Sequence, residues 1–184
     1  MSLFSSNSHA DFEPLVAAHT QVLLRTALRL TRRQEEAEDA VQETFLRAWK
    51  YYRSFEPGTN ARAWLFRILM NVINRSYAGK PAAHHFVSIE DTGLDLVLAA
   101  PSPPVLSTAE ALEALDRLPV EFKPVMLLVL VEEFSYREAA DILEIPIGTV
   151  MSRLHRGRRL LRAELAPRTA ASHHGTGEIV PRGE

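Results

Sequence analysis

The chain has 184 residues, 46% of them hydrophobic, and a formal net charge of -2, enough for one ordinary domain or two small ones with modest cores. It contains no cysteine, which excludes disulfides and thiolate metal sites. The longest apolar run, Val125 to Val131, is far shorter than the roughly 20 residues of a membrane helix, and the opening MSLFSSNSHADFE lacks the blocks of a secretory signal, so a soluble, cytoplasmic protein without membrane insertion is expected.

In chain order, helical periodicity predicts three helices, Asp11 to Leu30, Gln34 to Tyr52 and Asn60 to Tyr77, within a first domain over 11–78. TRRQ between the first two resembles a capping box, and EPGTN breaks the chain before the third. A linker over 79–107 follows, marked by Pro81, Pro101, Pro103 and Pro104, with a short ordered piece around FVSIED. Fully extended, thirty residues span roughly 100 Å, which lets the two halves sit far apart.

The second domain, 108–166, restarts on the capping-box pattern STAE, and its helices are predicted at Ala109 to Arg117, Val120 to Glu132, Ser135 to Leu143 and Ile147 to Leu165. VMLLVLV suits either a buried strand or a helix, and its helical neighbours favour the helix. SYRE caps the third of these helices and EIP ends it. The tail over 167–184 has little to bury and reads as disordered. The expected fold is therefore all-α, two small helical domains joined by a flexible linker.

Charge is segregated along this frame. Residues 34–46 hold five acids and no base, 47–80 hold seven Lys or Arg against one acid, 110–144 hold nine acids against three bases, and 153–162 hold five Arg. Such alternation suggests one polyanionic partner touched twice and a second, different partner, or else solvated helix faces.

A short helix, a turn of three or four residues and a longer basic helix form the helix-turn-helix pattern, whose second helix enters the major groove. Advancing about 100° per residue, Ile147, Val150, Leu154 and Leu161 make its buried stripe, with Gly157 beside them. Thr149, Ser152, Arg156 and Arg159 lie opposite, flanked by Arg153 and His155. Arg there can meet guanine or phosphate, and Ser or Thr can read either. On the helix at 60–77, Ala61, Leu65, Leu69 and Val72 face inward with Ile68 and Ile73 at the edges, while Arg67, Asn71 and Asn74 face outward, bordered by Trp64 and Arg75. Amides can bond base edges, and Trp64 with Phe55 suits either a core or a stacking surface for an unpaired base. On the helix at 34–52, Ala37, Val41, Phe45, Ala48 and Tyr52 face inward, leaving Glu36, Asp39, Glu43, Leu46 and Lys50 outward and Gln42 at the edge. Its acids suit the positive helix terminus, roughly a few tenths of a kcal/mol each, or a basic protein partner anchored by Leu46. The seven histidines, including the pairs His84–His85 and His173–His174, lack metal-ligand spacing, so no catalytic residue, cofactor or metal is assigned.

These segments together resemble the extracytoplasmic-function (ECF) sigma factors of bacterial RNA polymerase. EEAEDAVQETFLRAW is similar to the family's segment that docks on the polymerase beta-prime clamp helices. NARAWLFRILMNVINRSY resembles the segment that melts and reads the minus-10 element. LEALDRLPVEFKPVMLLVLVEEFSYREAADILEIPIGTVMSRLHRGRRLLRAEL resembles the domain that reads minus-35. The resemblance implies that 11–78 is sigma region 2 and 108–166 sigma region 4, and that the linker threads near the polymerase cleft. Asp39, Gln42, Glu43 and Leu46 would contact polymerase. Phe55, Trp64, Arg67, Asn71, Asn74 and Arg75 would serve minus-10 DNA, and Thr149, Ser152, Arg153, His155, Arg156 and Arg159 minus-35 DNA. Many members carry Lys or Arg where Met151 stands. PIGTVMSRLHRGRR is similar to the branch that answers thiol-oxidative stress through a zinc-binding anti-sigma factor, so an anti-sigma partner is expected. The rival readings are a stand-alone helix-turn-helix regulator, and a sigma-like decoy that binds an anti-sigma factor.

Overall fold

The structure, a computed structural model, describes residues 7–56, 58–77 and 108–171. Helix α1 spans Asn7–Thr31, α2 Gln34–Tyr51 and α3 Ala61–Tyr77, with one 3-10 turn, Tyr52–Ser54, after α2. In the second half α4 spans Thr108–Arg117 and α5 Lys123–Met126, which continues as a π turn over Leu127–Val131. Helices α6, Tyr136–Leu143, and α7, Ile147–Ala171, complete the chain. No strand occurs among the described residues, so the architecture is all-α. The linker with its FVSIED piece, Ser107 of the STAE cap and residues 172–184 lie outside the described residues.

Local chemistry sets the boundaries. Ser135 and Glu138 form a reciprocal capping box at the start of α6: the Glu138 N–H donates to Ser135 Oγ, and the Ser135 N–H donates to Glu138 Oε2. Glu144 then ends α6 in the left-handed region at φ 56°, and the Ile145 N–H reaches back to the Ala140 carbonyl at 3.2 Å, the closing bond of a Schellman turn. The TRRQ box does not form. Thr31 is still inside α1, and Arg32, at φ 61°, makes the turn, so α2 starts from Arg33 with no side-chain cap. Helix α7 also runs past Pro167, as far as Ala171.

VMLLVLV is helical. Val125 to Leu128 are fully buried, whereas Leu130 and Val131 are more than a third exposed. The π turn is closed by Glu132 N–H to the Leu127 carbonyl at 2.9 Å.

α1, α2 and α3 pack together, α6 and α5 pack on α7, and α3 packs on α6. The two halves are thus not far apart, and one hydrophobic core runs through both. Phe66 on α3 meets Phe134, just before α6, edge to face at 5.1 Å between ring centroids. Phe66 and Met70 are both buried, outside the predicted inward stripe of α3.

Helix α7 approaches α5 at Gly157, where a Cβ would lie 2.7 Å from Met126 Sδ and 3.4 Å from Phe122 Cβ. Met126 is fully buried, so making room for a side chain means repacking the core around it. Gly157→Val is therefore expected to destabilise the protein by about 1–3 kcal/mol through overpacking, read as a lower urea midpoint with unchanged slope.

Candidate nucleic-acid and partner interface

Three surfaces carry the residues singled out from the sequence. On α2, Asp39 and Gln42 are exposed and Leu46 is 65% exposed, the largest exposure among the big apolar side chains described. Their spacing puts them on one face with Glu43. Glu43 is half-buried and accepts from Arg47 Nε at 2.6 Å, one turn on, so its carboxylate is held toward the C-terminal end of the helix.

A groove of about 510 Å³ opens between α2 and α3. Asn71 and Arg75 line it from α3, and Glu43 and Leu46 from α2, so the acidic face and part of the expected minus-10 face are continuous. Arg47, Lys50 and Tyr51 also line it. Sequence reasoning placed Lys50 outward but assigned none of these three to DNA. Their signal was the basic block that begins at Arg47, at the same end of α2 as Leu46.

The remaining expected minus-10 residues are dispersed. Phe55 and Trp64 are half-buried and pack on each other at 4.8 Å, and Tyr52 stacks on Phe55 at 6.1 Å. Phe12 joins Tyr52 and Trp49, 5.1 Å from each. These rings form a partly exposed aromatic row away from the groove lining. Arg67 is exposed but donates to Glu144 at 2.9 Å, across the two halves. Asn74 Oδ1 is buried and accepts no hydrogen bond from the described residues.

On α7 the residues expected to face outward differ in exposure. His155 and Arg159 are exposed, and Thr149, Ser152 and Arg156 are half-buried. The Ser152 hydroxyl donates to the Thr149 carbonyl at 3.1 Å. Arg153 is a correction: only 5% exposed, it lies beside Val150 and Leu154 on the packed side of α7. A placement flanking the outward face overlooked that its long stem can cover apolar surface. Ile147, expected inside, is 46% exposed, and Met151 is 51% exposed.

Two ionisable groups near α3 have shifted pKa values. Hydrogen bonds from the Ser135 backbone and hydroxyl hold the Glu138 carboxyl below the usual carboxylate range, with Asn60 and Arg62 adding to the effect. Burial lowers the His19 pKa, helped by the Arg62 charge. No cluster of metal-ligating side chains occurs among the described residues, and no described helix is long and apolar enough to cross a membrane.

Comparison with known proteins gives two family matches, in the same order as the two halves: residues 15–80 match Sigma-70 region 2 and residues 108–161 match Sigma-70, region 4. The ECF RNA polymerase sigma factor SigE of Mycolicibacterium smegmatis is 36% identical over 85% of this chain, which spans 62% of that relative's length. SigW of Bacillus subtilis, also an ECF RNA polymerase sigma factor, is 31% identical over 84% of this chain and 88% of its own. Among solved structures, the sigma factor RpoE in complex with the anti-sigma factor NepR, from Bartonella quintana, is similar with TM-score 0.61 and 31% identity, over 85% of this chain and 97% of that one. CnrH in complex with the cytosolic domain of CnrY is similar with TM-score 0.62 and 30% identity, over 89% and 92%.

Proposed function

Because the chain belongs to the extracytoplasmic-function group of the sigma-70 family, we propose that it works as a two-part adaptor between core RNA polymerase and promoter DNA. Residues 11–78 serve as region 2 and residues 108–166 as region 4, joined by 79–107. Docking uses Asp39, Gln42, Glu43 and Leu46 on the beta-prime clamp helices. The minus-35 element is met by Thr149, Ser152, His155, Arg156 and Arg159. The chain carries no catalysis of its own, acts in the cytoplasm, and is restrained by an anti-sigma factor, a kind of partner that the similar sigma factor RpoE has in its complex with NepR.

The observation that carries the reading is the continuity of the α2 face with the groove holding Asn71 and Arg75. A chain docked through Asp39 and Leu46 would present that groove to DNA at the polymerase surface. There an unstacked base gains contacts that offset the few kcal/mol of unstacking. Arg75 and Lys50 supply positive charge for the backbone, and Asn71 supplies donor and acceptor for the base edge.

Asn71→Ala is expected to lower promoter opening about tenfold, as permanganate reactivity of unpaired thymines, while co-elution with core polymerase is unchanged. The promoter is one mapped from transcripts of the reconstituted holoenzyme. Equal opening by the variant would remove Asn71 from the melting surface.

A further inference from the structure

Helix α7 buries a cation and exposes a thioether. Arg153 is 5% exposed on its packed side, while Met151, two residues earlier, is 51% exposed and Ile147, one turn before that, 46%. A helix shaped by folding alone would place them the other way, with the apolar side chains inside and the guanidinium in water. Taking about 100° per residue, the exposed residues Gly148, Met151, His155, Arg159 and Arg162 fall within an arc of roughly 80°. Thr149 and Arg156, both half-buried, lie roughly 60–80° beyond its edge at the same advance per residue. Met151 thus stands inside the outward face, one turn in from the start of the helix. Gly148 lies three residues before it, and a Cβ there would meet nothing within 4 Å among the described residues. Packing gives no reason for the missing side chain in a helix that glycine weakens. Its absence lets another surface come close to the backbone beside Met151.

The charge and placement of that face select its occupant. Five arginines and no acid lie within 153–162 of the same helix, which suits a polyanion. In a helix-turn-helix the N-terminal residues of the second helix are the ones that reach base edges in the major groove. The apolar group presented there is the 5-methyl of thymine, which takes an apolar side chain, whereas the other base-edge groups are donors and acceptors. Methionine, unbranched and polarizable, moulds to such a group. We infer that Met151 is a specificity residue of the minus-35 contact, packing its thioether against the 5-methyl group of a thymine, with Ile147 bordering that contact. His155 and Arg159 supply polar contacts from the same arc. The inference rests on the sigma-factor reading of α7 and adds to it the base that this helix selects.

The test uses holoenzyme reconstituted from the full chain and core polymerase, on the promoter mapped from its transcripts. Each thymine of the minus-35 element, on either strand, is replaced singly by deoxyuridine, which deletes the methyl group and keeps every donor and acceptor. For the unaltered protein, uracil at one thymine or at two adjacent ones should weaken binding about fourfold, the effect of losing one buried methyl-sized group. Met151→Ala should bind the natural promoter about fourfold more weakly and lose nothing further on the uracil promoter, so that the two changes are not additive. Met151→Leu, which keeps an apolar side chain, should retain most of the difference between thymine and uracil. Because Met151 is exposed, the thermal unfolding midpoint should stay in place in both variants. Binding indifferent to uracil at every position would overturn the inference. An equal uracil loss in Met151→Ala would overturn it too, since the methyl contact would then belong to another residue. If exchanging the whole minus-35 element for unrelated sequence left binding unchanged, the sigma reading of α7 would fail and this inference with it. A loss on that exchange without any uracil sensitivity would sink the role of Met151 alone.

Discussion

Replacing Asp39, Gln42 and Glu43 together by alanine is expected to weaken binding to sigma-free core polymerase by about 30- to 1,000-fold, so that the variant no longer co-elutes with it. Asp39, Gln42, Glu43 and Leu46 fall at i, i+3, i+4 and i+7 of α2, a single strip. Asp39 and Gln42 are exposed, and Leu46 is the apolar anchor beside them. A strip of this kind is where a few residues carry most of an interface, each central truncation costing about 2 kcal/mol or more. The acids also steer encounter with a basic partner, so part of the loss should appear as slower association. The inward side of α2, built on Ala37, Ala40, Val41, Thr44 and Ala48, is untouched, so the helical circular dichroism should not change. Binding equal to the unaltered protein would remove this face from the docking role.

Arg156→Ala is expected to cost about 1–3 kcal/mol of minus-35 binding, a factor of roughly 5 to 150. The way the loss is distributed tells what the guanidinium does. If it forks onto a guanine, the preference at one base pair relaxes; if it holds phosphate, binding weakens evenly and the salt slope falls by about one. The measurement is competitive binding of holoenzyme to promoter variants at two salt concentrations. An unchanged affinity and preference would take Arg156 off the reading face. Arg153→Ala should behave differently, lowering stability, because its side chain is packed between α7 and its neighbours.

The helices were legible where they are amphipathic and punctuated: SYRE gave the α6 cap, and EIP fell at a left-handed end that the chain does form at Glu144. The wheel of α2 was also recovered, since a solvated helix with one packed side leaves a single stripe. Helix α3 was harder. It packs on α1 and α2 on one side and on α6 on another, so Phe66 and Met70 are buried beyond its predicted stripe. Periodicity within one segment holds no information about a second neighbour in the other half of the chain. The same blindness applies to charge. The run from 110 to 144 reads as acidic, but nothing local says that Glu132 meets Thr26 and Arg62. For Arg153, a charged residue at a flank of the wheel reads as exposed, and only packing reveals that it is covered.

The wide turn over Leu127–Val131 has a consequence of phase. An α-helix advances about 100° per residue, and a π turn admits one residue more than the α period, here in the last turn before the helix ends at Val131. The chain therefore leaves α5 about one residue out of step with the helix it would otherwise have continued. Glu132, the C-cap, is the first residue to inherit that offset; Glu133, at φ 57°, then turns the chain out of the helix, with Phe134 N–H still reaching the Leu128 carbonyl at 2.9 Å. Take one residue out of that turn, and the carboxylate that meets Arg62 would swing about 100° around the axis. The surplus residue works as a setting of angle, deciding which direction the second half looks when it meets the first.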